Sequence, residues 1–330
     1  MKFLSMRAAG QTRVGVFVSG KVVDLNTLYA WYLEHEEDEK DAEKIAHGVF
    51  PSNMIRFIEK GKDSLIKARI MAKYADDLLK ENAAQELLKK RIIQPYRRGQ
   101  ILAPIPIPRK NIVCLAVNYA AHAKEAAMTK GEEPALPSVP VFFSKPPTSV
   151  TGPFSNVIKP RVTEELDYEV ELALVIGKKG KYIPEAKVRD HIFGYMAFND
   201  FTARDLQRRH KQFLRGKGLD TFAPCGPFLV TADEIIDAQN LNLKLTVNGE
   251  IRQNSNTGNM IFKIPQIVNI FSSGITLEPG DIIATGTPEG VGSAMKPPQY
   301  LQLGDIVETT VENVGAMKNR IVSERQSQAI

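Results

Sequence analysis

The feature of this sequence that most constrains its fold is a run of alternating prolines near the end of its first third. The run is Ala103-Pro-Ile-Pro-Ile-Pro108, and Pro95 precedes it. Alternating prolines disfavour helix and favour an extended, fairly stiff chain. The run therefore predicts a connector between two domains, which we assign to residues 1–98 and residues 99–330.

The first domain is predicted to be small and of mixed α/β structure. Residues 1–34 predict a short β segment with a hairpin-like turn at Ser19-Gly20. A helical region is expected to begin in the acidic stretch Glu34–Glu43. Helix is expected again over Ser64–Lys90, where apolar residues recur at helical spacing.

The second domain contains many short β-branched runs separated by Gly, Pro, Asn and Asp. Asn248-Gly249 is a strong hairpin signal, and short helices are expected over 119–128, 202–214 and 263–273. Because strands and helices do not alternate regularly, the pattern predicts a β-rich α+β domain. The predicted strands include Asn111–Val117, Val139–Phe143, Tyr168–Ile176, Leu241–Val247, Asp281–Ala284 and Ile306–Val311.

Composition limits the class of protein. Of the 330 residues, 43% are hydrophobic and 25% are charged, which is ordinary for a globular chain with a sizeable core. The formal net charge of +5 is mildly basic and its basic clusters are short, so we expect no nucleic-acid partner. Two cysteines exclude a disulfide scaffold. Without a signal peptide or a long apolar run, we expect a cytoplasmic protein and no membrane partner.

Two glutamates at the start of a predicted strand indicate a binding site. Glu169 and Glu171 are at positions i and i+2, so their side chains point to one face just before a buried apolar run. Neighbouring buried carboxylates repel each other and need a cation, a proton or basic partners. Their oxygens suit Mg²⁺, Mn²⁺ or Ca²⁺. A solvent-facing strand edge bridged to lysines is the alternative interpretation.

A third acid favours the metal-site interpretation. Asp200 lies at the end of another predicted strand, although it would also serve as a helix N-cap. On the helix that follows, Arg204 and Gln207 are at i and i+3 and share one face. They would present a cation and an amide towards whatever Asp200 binds.

A histidine and a glutamate form a second candidate site. His122 and Glu125 are at i and i+3 on a predicted helix, so the carboxylate can orient the imidazole. An oriented histidine can take a proton from water near neutral pH. A solvent-exposed helical histidine beside an acid would show the same spacing.

Several motifs, in this order, resemble those of the fumarylacetoacetate hydrolase superfamily. They are Glu-x-Glu-Leu followed by Val-Ile-Gly177, Asn199–Asp205, Gly216–Pro227, Val247–Glu250 and Thr285–Gly292. The resemblance runs over roughly residues 101–322. The stretch Arg208–Phe213 is similar to bacterial, oxaloacetate decarboxylase-like members with an additional N-terminal domain. The resemblance implies a fumarylacetoacetate hydrolase-type fold for residues 99–330 and a homodimer.

The resemblance also implies three sets of site residues around one divalent cation, Mg²⁺ or Mn²⁺, with Ca²⁺ as a further option. The implied metal ligands are Glu169, Glu171 and Asp200. The implied catalytic residues are His122 and Glu125, on a lid segment over 118–137 that includes Gly131 and Pro134, and Lys217, beside the developing oxyanion. The implied substrate-binding residues are Arg204, Gln207 and Thr287, of which Thr287 is otherwise a turn residue.

The chain departs from the usual family pattern near the histidine. Ala116 and Val117 stand where relatives have a glycine and a basic residue, and Ala121 stands where they often have aspartate. These differences concern substrate preference. The metal ligands and the His–Glu pair are unchanged.

The implied function is metal-dependent cleavage of a carbon–carbon bond in a small keto acid through a metal-stabilised enolate. Hydrolysis of an acylpyruvate- or fumarylacetoacetate-type substrate and decarboxylation of oxaloacetate both fit. The alternatives are a 2-hydroxy-dienedioate isomerase or keto–enol tautomerase on the same site, and a non-enzymatic interaction protein on this fold. The presence of all the ligands and of His122 disfavours the last alternative.

Overall fold

The structure of the chain is a computed structural model that describes residues 1–8, 10–131, 133 and 135–327. Pro134, which the sequence assigns to the lid segment, lies outside the described residues. The described part of the chain contains nineteen strands and ten α-helices. None of these helices is both long enough and apolar enough to cross a membrane.

The first part of the chain forms a small sheet covered by helices. The hairpin predicted at Ser19-Gly20 is confirmed, because the strands on either side of it pair antiparallel. In chain order the elements are β1 (Lys2–Ala8), β2 (Gln11–Val18), β3 (Lys21–Asp24), α1 (Leu25–Glu36), α2 (Ala42–Val49), α3 (Met54–Glu59), α4 (Gly61–Lys80), α5 (Gln85–Lys89) and β4 (Ile93–Pro95).

Helix α1 begins earlier than the sequence pattern predicts. We expected the β segment to reach residue 34 and a helix to begin in Glu34–Glu43, but α1 spans Leu25–Glu36. The Asp24 side chain caps this helix by accepting a hydrogen bond from the Thr27 amide at 3.2 Å, an arrangement that stabilises helix N-termini. Buried leucines on one side of α1 add the packing that a short helix needs.

The rest of the chain is β-rich, and the predicted α+β class is confirmed. The six predicted strands and the three predicted helices are all present, with ends that differ by a few residues. The elements are β5 (Ile101–Leu102), β6 (Ile112–Ala116), α6 (Ala120–Lys130), β7 (Val141–Lys145), β8 (Val150–Thr151), β9 (Val157–Lys159), β10 (Leu166–Asp167), β11 (Val170–Ile176), β12 (Ile192–Asn199), β13 (Thr202–Ala203), α7 (Arg204–His210), α8 (Leu214–Lys217), β14 (Ala223–Thr231), β15 (Asn242–Val247), β16 (Glu250–Asn256), α9 (Ile264–Ser272), β17 (Ile282–Ala284), β18 (Ile306–Val311), β19 (Gly315–Ser323) and α10 (Glu324–Ser327).

One twelve-stranded sheet crosses the predicted domain boundary. Its order is β4-β3-β2-β1-β14-β12-β11-β17-β6-β7, with β5 paired to β1 and β8 paired to β14. Strand β1 joins the two parts, because it pairs antiparallel with β5 and also with β14, where Lys2 and Phe3 lie opposite Val230 and Leu229. The division at residue 98 stays a prediction, but strands from both sides of it belong to one sheet.

A five-stranded sheet, β16-β15-β18-β19-β9, packs against the large sheet, and β10 and β13 form a separate pair. The central strand β11 is buried on both faces. Leu172 and Leu174 contact the core that includes the second sheet, whereas Ala173 and Val175 contact the core that includes the N-terminal helices. This alternation follows from the side-chain period of a strand. Side chains at the start of β11 are therefore attached to a rigid backbone in the protein interior.

The shared sheet predicts that the two parts of the chain depend on each other for stability. Phe3 on β1 is fully buried, and its ring centroid lies 5.0 Å from that of Phe57 on α3 and 5.9 Å from that of Phe193 on β12. We expect Phe3→Ala to lower the free energy of unfolding in urea by about 3–5 kcal/mol, because a buried ring is replaced by a cavity.

The exposed residue Ile236 provides the control for this measurement. Ile236→Ala should change the free energy of unfolding by less than about 0.5 kcal/mol. If the Phe3→Ala variant kept wild-type amide-exchange protection throughout residues 99–330, the two parts would be energetically independent and the prediction would be wrong.

Candidate active site

Three carboxylates that are distant in the sequence meet at the ends of two neighbouring strands. Glu169 precedes β11, Glu171 lies on it, and Asp200 follows β12. The strands pair antiparallel, and the Asp200 amide donates a hydrogen bond to the Glu169 carbonyl oxygen at 2.9 Å. One carboxylate oxygen from each residue lies within 4.8 Å of the other two, and all three residues are buried. We refer to Glu169, Glu171 and Asp200 as the carboxylate cluster.

Two buried lysines contact this cluster. The Lys217 ammonium nitrogen lies 2.9 Å from Glu169 Oε2 and 2.7 Å from Asp200 Oδ2. Lys145, the last residue of β7, donates to Asp200 Oδ1 and, at 3.1 Å, to the carbonyl oxygen of Phe201. The two lysines therefore hold the two carboxylate oxygens of Asp200 from different elements of the fold.

Arg204 connects the cluster to a fourth buried acid, Asp167. Its Nη2 lies 2.7 Å from Glu169 Oε1, and its Nε donates to Asp167 Oδ2 at 2.8 Å. Asp167 also accepts hydrogen bonds from the amides of Gly292 and Ser293, at 2.8 and 3.0 Å. These contacts fix α7 against the strand ends and against the loop that follows β17.

Burial and neighbouring charges shift the pKa values of the cluster in different directions. Burial raises the pKa of Glu171 well above its ordinary value, and the carboxylates of Asp200 and Glu169 raise it further. Burial also favours the neutral form of Glu169, but Lys217 and Arg204 outweigh it and hold the pKa of Glu169 below its ordinary value. Glu171 is therefore the member of the cluster that protein cations compensate least.

The cluster fits a divalent cation. Glu171 Oε2 accepts a hydrogen bond from the Gly286 amide at 2.8 Å, whereas its buried Oε1 accepts none from the described residues. The cluster and Asp167 carry four carboxylates against the cations of Lys145, Lys217 and Arg204, which leaves one negative charge in excess when all are ionised. A divalent cation would satisfy the free oxygen and the excess charge, and hard cations prefer such oxygen ligands.

The turn after β17 brings a backbone amide to the cluster. Gly286 has a φ of 93°, and a Cβ at this position would lie 2.7 Å from the Cβ of Asn118, so glycine is required for this close approach. The next residue, Thr287, donates its hydroxyl hydrogen to the Val170 carbonyl oxygen and accepts from Gln253 Nε2, both at 2.9 Å. A contact between Thr287 and a substrate carboxylate stays a prediction, and its hydroxyl hydrogen is used within the protein.

His122 and Glu125 form a hydrogen-bonded pair on α6. His122 Nδ1 lies 3.1 Å from Glu125 Oε2, and the Gly290 amide donates to Glu125 Oε1 at 2.9 Å. A neutral imidazole that donates from Nδ1 keeps Nε2 as a proton acceptor. The pair therefore has the geometry of an oriented general base or acid.

A cavity of about 480 Å³ connects the two candidate sites. Its lining includes Ala116 and Val117, the two positions that depart from the usual family pattern. Its volume is in the range of small-molecule sites. The predicted site residues on its lining are His122, Glu169, Arg204, Gln207, Lys217 and Thr287.

Sequence reasoning missed two buried charges of this site. Asp167 lies two residues before Glu169, as Glu169 lies two residues before Glu171. This spacing of three acids could have indicated that Asp167 belongs to the same site. Lys145 follows an apolar run, and its sequence neighbourhood does not distinguish it from an exposed lysine. Only the pairing of the strands reveals its contact with Asp200.

Comparison with known sequences agrees with this geometry. Residues 111–322 match the family described as "Fumarylacetoacetate (FAA) hydrolase C-terminal". The chain belongs to the fumarylacetoacetate hydrolase family. The resemblance inferred from the sequence motifs is therefore confirmed.

Relatives in this family carry enzyme names. The oxaloacetate tautomerase YisK of Bacillus subtilis (strain 168) is 39% identical over 312 residues, which cover 92% of this chain and 99% of that protein. The human mitochondrial oxaloacetate tautomerase FAHD2A is 39% identical over 274 residues, which cover 82% of this chain and 80% of that protein. The chain thus belongs to a family of enzymes.

Solved structures of the family have the same fold. A fumarylacetoacetate hydrolase from psychrophilic Exiguobacterium antarcticum is similar with a TM-score of 0.74 and 32% identity, covering 98% of this chain and 100% of that one. A 2-hydroxyhepta-2,4-diene-1,7-dioate isomerase from Mycobacterium marinum is similar with a TM-score of 0.58 and 36% identity, covering 68% and 78%. The first comparison includes the N-terminal part, so the predicted family fold with an N-terminal domain is confirmed.

Replacement of Glu171 tests the cluster as a metal site. Glu171→Gln keeps the shape of the side chain and removes one anionic ligand, so we expect the affinity for Mn²⁺ or Mg²⁺ to fall by at least about tenfold in calorimetric titration. The matched control is Glu164→Gln, because the Glu164 side chain is 90% exposed. Equal affinities of the two variants for both cations would contradict the assignment.

Proposed function

We propose that this chain is a divalent-cation-dependent enzyme that interconverts the keto and enol forms of oxaloacetate or of a closely related 2-oxo acid. YisK and FAHD2A carry the name oxaloacetate tautomerase, and similar solved structures carry isomerase names. The observation that carries the proposal is the lining of one cavity, where the oriented His122 accompanies Glu169 of the carboxylate cluster and Lys217.

Tautomerisation of a 2-oxo acid moves one proton between the carbon beside the carbonyl group and the carbonyl oxygen. The reaction needs a base at that carbon and positive charge at the oxygen, where negative charge develops. With Nδ1 bonded to Glu125, His122 keeps Nε2 to take the proton. The Glu125 carboxylate, fixed by the Gly290 amide, would stabilise the imidazolium that results.

Lys217 and Arg204 supply positive charge on the same lining. Burial acts to lower the pKa of Lys217, but the carboxylates of Asp200 and Glu169 outweigh it, so the pKa is raised and the ammonium persists. It would donate a hydrogen bond to the substrate oxygen that gains negative charge. Arg204 Nη1 donates to Gln207 Oε1 at 3.2 Å, which holds the Gln207 carboxamide at the cavity to bind substrate oxygens.

Glu169, Glu171 and Asp200 would hold the cation, for which we expect Mg²⁺ or Mn²⁺. Once bound, the cation would act as a Lewis acid on substrate oxygens. The four carboxylates and three protein cations leave one negative charge in excess. A divalent cation would therefore give the site a net charge of +1. This charge favours the binding of an anionic substrate.

Two cleavage reactions require the same charge distribution. Decarboxylation of oxaloacetate and hydrolysis of an acylpyruvate each leave an enolate oxygen that Lys217 would stabilise. Decarboxylation would use His122 to return a proton, and hydrolysis would use the His122–Glu125 pair to activate water. Tautomerisation requires only the proton transfer, and the names of the two relatives favour it.

The products distinguish these reactions. We expect the purified enzyme with Mg²⁺ or Mn²⁺ to accelerate the decay of the ultraviolet absorbance of enol oxaloacetate, and to release pyruvate much more slowly. Heat-inactivated enzyme with the same cation is the control for metal-catalysed decay. Rapid pyruvate release without faster enol decay would indicate a decarboxylase, and rapid loss of acetylpyruvate would indicate a hydrolase. Either result would contradict the proposal.

Substitution of the histidine tests its role as the base. We expect His122→Asn to lower kcat for tautomerisation by about 10²–10⁴-fold, because general base catalysis is lost. Calorimetric affinity for Mn²⁺ should stay within about twofold of wild type, since His122 is outside the ligand set. His210, exposed at the end of α7, provides the control variant His210→Asn. A His122→Asn variant with wild-type kcat would exclude this role.

Three expectations about context stay predictions. The relatives include a bacterial protein and mitochondrial proteins, so the cytoplasmic location is our expectation for this chain alone. A homodimer, and the absence of nucleic-acid and membrane partners, are expectations of the same kind.

A further inference from the structure

One face of α7 lines the cavity along the whole length of the helix. Arg204, Gln207, Arg208 and Lys211 all belong to the lining. The spacing of i, i+3 and i+4 places Arg204, Gln207 and Arg208 on the same side of α7, and Lys211 follows as the residue that caps its C-terminal end. At about 1.5 Å per residue, Arg204 and Arg208 are about 6 Å apart along the helix axis, and Lys211 lies beyond Arg208 at the C-terminal end. We refer to the three cations, Arg204, Arg208 and Lys211, as the basic row.

The members of the basic row differ in what they already bind. Arg204 is buried and pairs with Asp167 and Glu169. Arg208 is exposed, and its Nη2 lies 2.7 Å from Glu165 Oε1. Lys211 is exposed and makes no ion pair with any of the residues that the structure describes. It is therefore the cation of the row whose charge the protein leaves uncompensated.

The backbone at Lys211 is unusual. Its φ of 57° and ψ of −41° end α7, and the chain then turns into α8 at Leu214. A residue other than glycine adopts such a conformation only where its surroundings hold it there, and such positions are enriched at functional sites. Helix α7 thus ends directly before Lys211, which belongs to the cavity lining.

Much of the remaining lining is apolar. It includes Leu115, Val117, Phe143, Phe213 and Val291, and the rings of Phe143 and Phe213 contact each other with centroids 5.4 Å apart. Apolar side chains cannot replace the water that a carboxylate loses on binding. A second anionic group of a substrate would therefore be bound from the basic row.

We propose that Lys211, with Arg208 beside it, binds the substrate carboxylate that is remote from the reacting end, and so selects 2-oxo dicarboxylic acids over 2-oxo monocarboxylic acids. The inference rests on the proposed function, which assigns the reacting end to Glu169 and Lys217. Arg204 contacts Glu169, and Lys211 lies at the opposite end of the row. A bound carboxylate would gain a charge-assisted hydrogen bond from the ammonium group of Lys211.

Kinetics on two substrates test this selectivity. We expect Lys211→Met to raise KM for oxaloacetate about tenfold and to leave kcat within about twofold, since the lost contact lies away from the reacting atoms. Proton–deuterium exchange at C3 of 2-oxobutanoate, which lacks the second carboxylate, should be unchanged in this variant. Lys211→Arg should keep most of the affinity for oxaloacetate. The matched control is Arg209→Met, an exposed neighbour outside the cavity lining.

A similar rise in KM for Lys211→Met and Arg209→Met would indicate a general effect of net charge and would overturn the inference. A loss confined to kcat would also overturn it, because Lys211 would then act on the reaction itself. Unchanged kinetics in Lys211→Met would have the same consequence.

A binding measurement separates this inference from the proposed function. L-Malate carries both carboxylates and does not tautomerise, so its affinity for the Mg²⁺-loaded protein can be measured by calorimetry without turnover. Binding about tenfold weaker in Lys211→Met than in Arg209→Met supports the subsite, even if wild-type enzyme fails to accelerate enol decay. In that case only the proposed reaction is wrong. Equal malate affinities, with active wild-type enzyme, would overturn only the role of Lys211.

Discussion

The site depends on the way in which Asp200 is held. This carboxylate is fully buried, and its two oxygens contact the ammonium groups of Lys145 and Lys217. A buried charge that loses its partner costs several kcal/mol, so the position of Asp200 requires both lysines. Lys145 comes from the edge strand β7 and Lys217 from α8, whereas Asp200 follows the central strand β12. One charge network therefore fixes a sheet edge and a helix against the centre of the sheet.

The same network explains how three carboxylates that fit a cation can lie together in the protein interior. Lys145 is fully buried, whereas Lys217 lines the cavity. Both lysines compensate Asp200, and Lys217 is the one that also borders the cavity, where the proposed function has it contact substrate. Glu171 retains an oxygen that accepts no hydrogen bond from the described residues. The protein thus compensates most of the negative charge, and the remainder, with one Glu171 oxygen that accepts no hydrogen bond from the described residues, fits a divalent cation.

The sequence predicted the parts of this arrangement that depend on local spacing. The two-residue spacing of Glu169 and Glu171, and the three-residue spacing of His122 and Glu125, translate directly into neighbouring side chains on a strand and on a helix. The contact of Lys145 with Asp200 and the pairing of β1 with β14 depend on strand order, which local patterns do not encode. Helix α1 starts early because the Asp24 side chain caps its N-terminus. The β-prone residues directly before Asp24 led us to extend the predicted β segment past this cap.

The proposed function divides the cavity into a part that acts on the reacting atoms and a part that recognises the rest of the substrate. Lys217 and Arg204 are buried and belong to one network of ion pairs, so a change in either disturbs the other, whereas His122 pairs separately with Glu125. The residues that border the rest of the cavity are apolar or exposed and make few such contacts. Val117, which stands where the family resemblance leads us to expect a basic residue, contributes to the apolar lining with a φ of 53°. Among the described residues that line the cavity, the cations other than Lys217 are Arg204 and Arg208 on α7 and Lys211 at its C-terminal end. If Lys211 selects the substrate as proposed, a substitution there would change substrate preference and leave the buried ion pairs of Asp200, Glu169 and Lys217 in place.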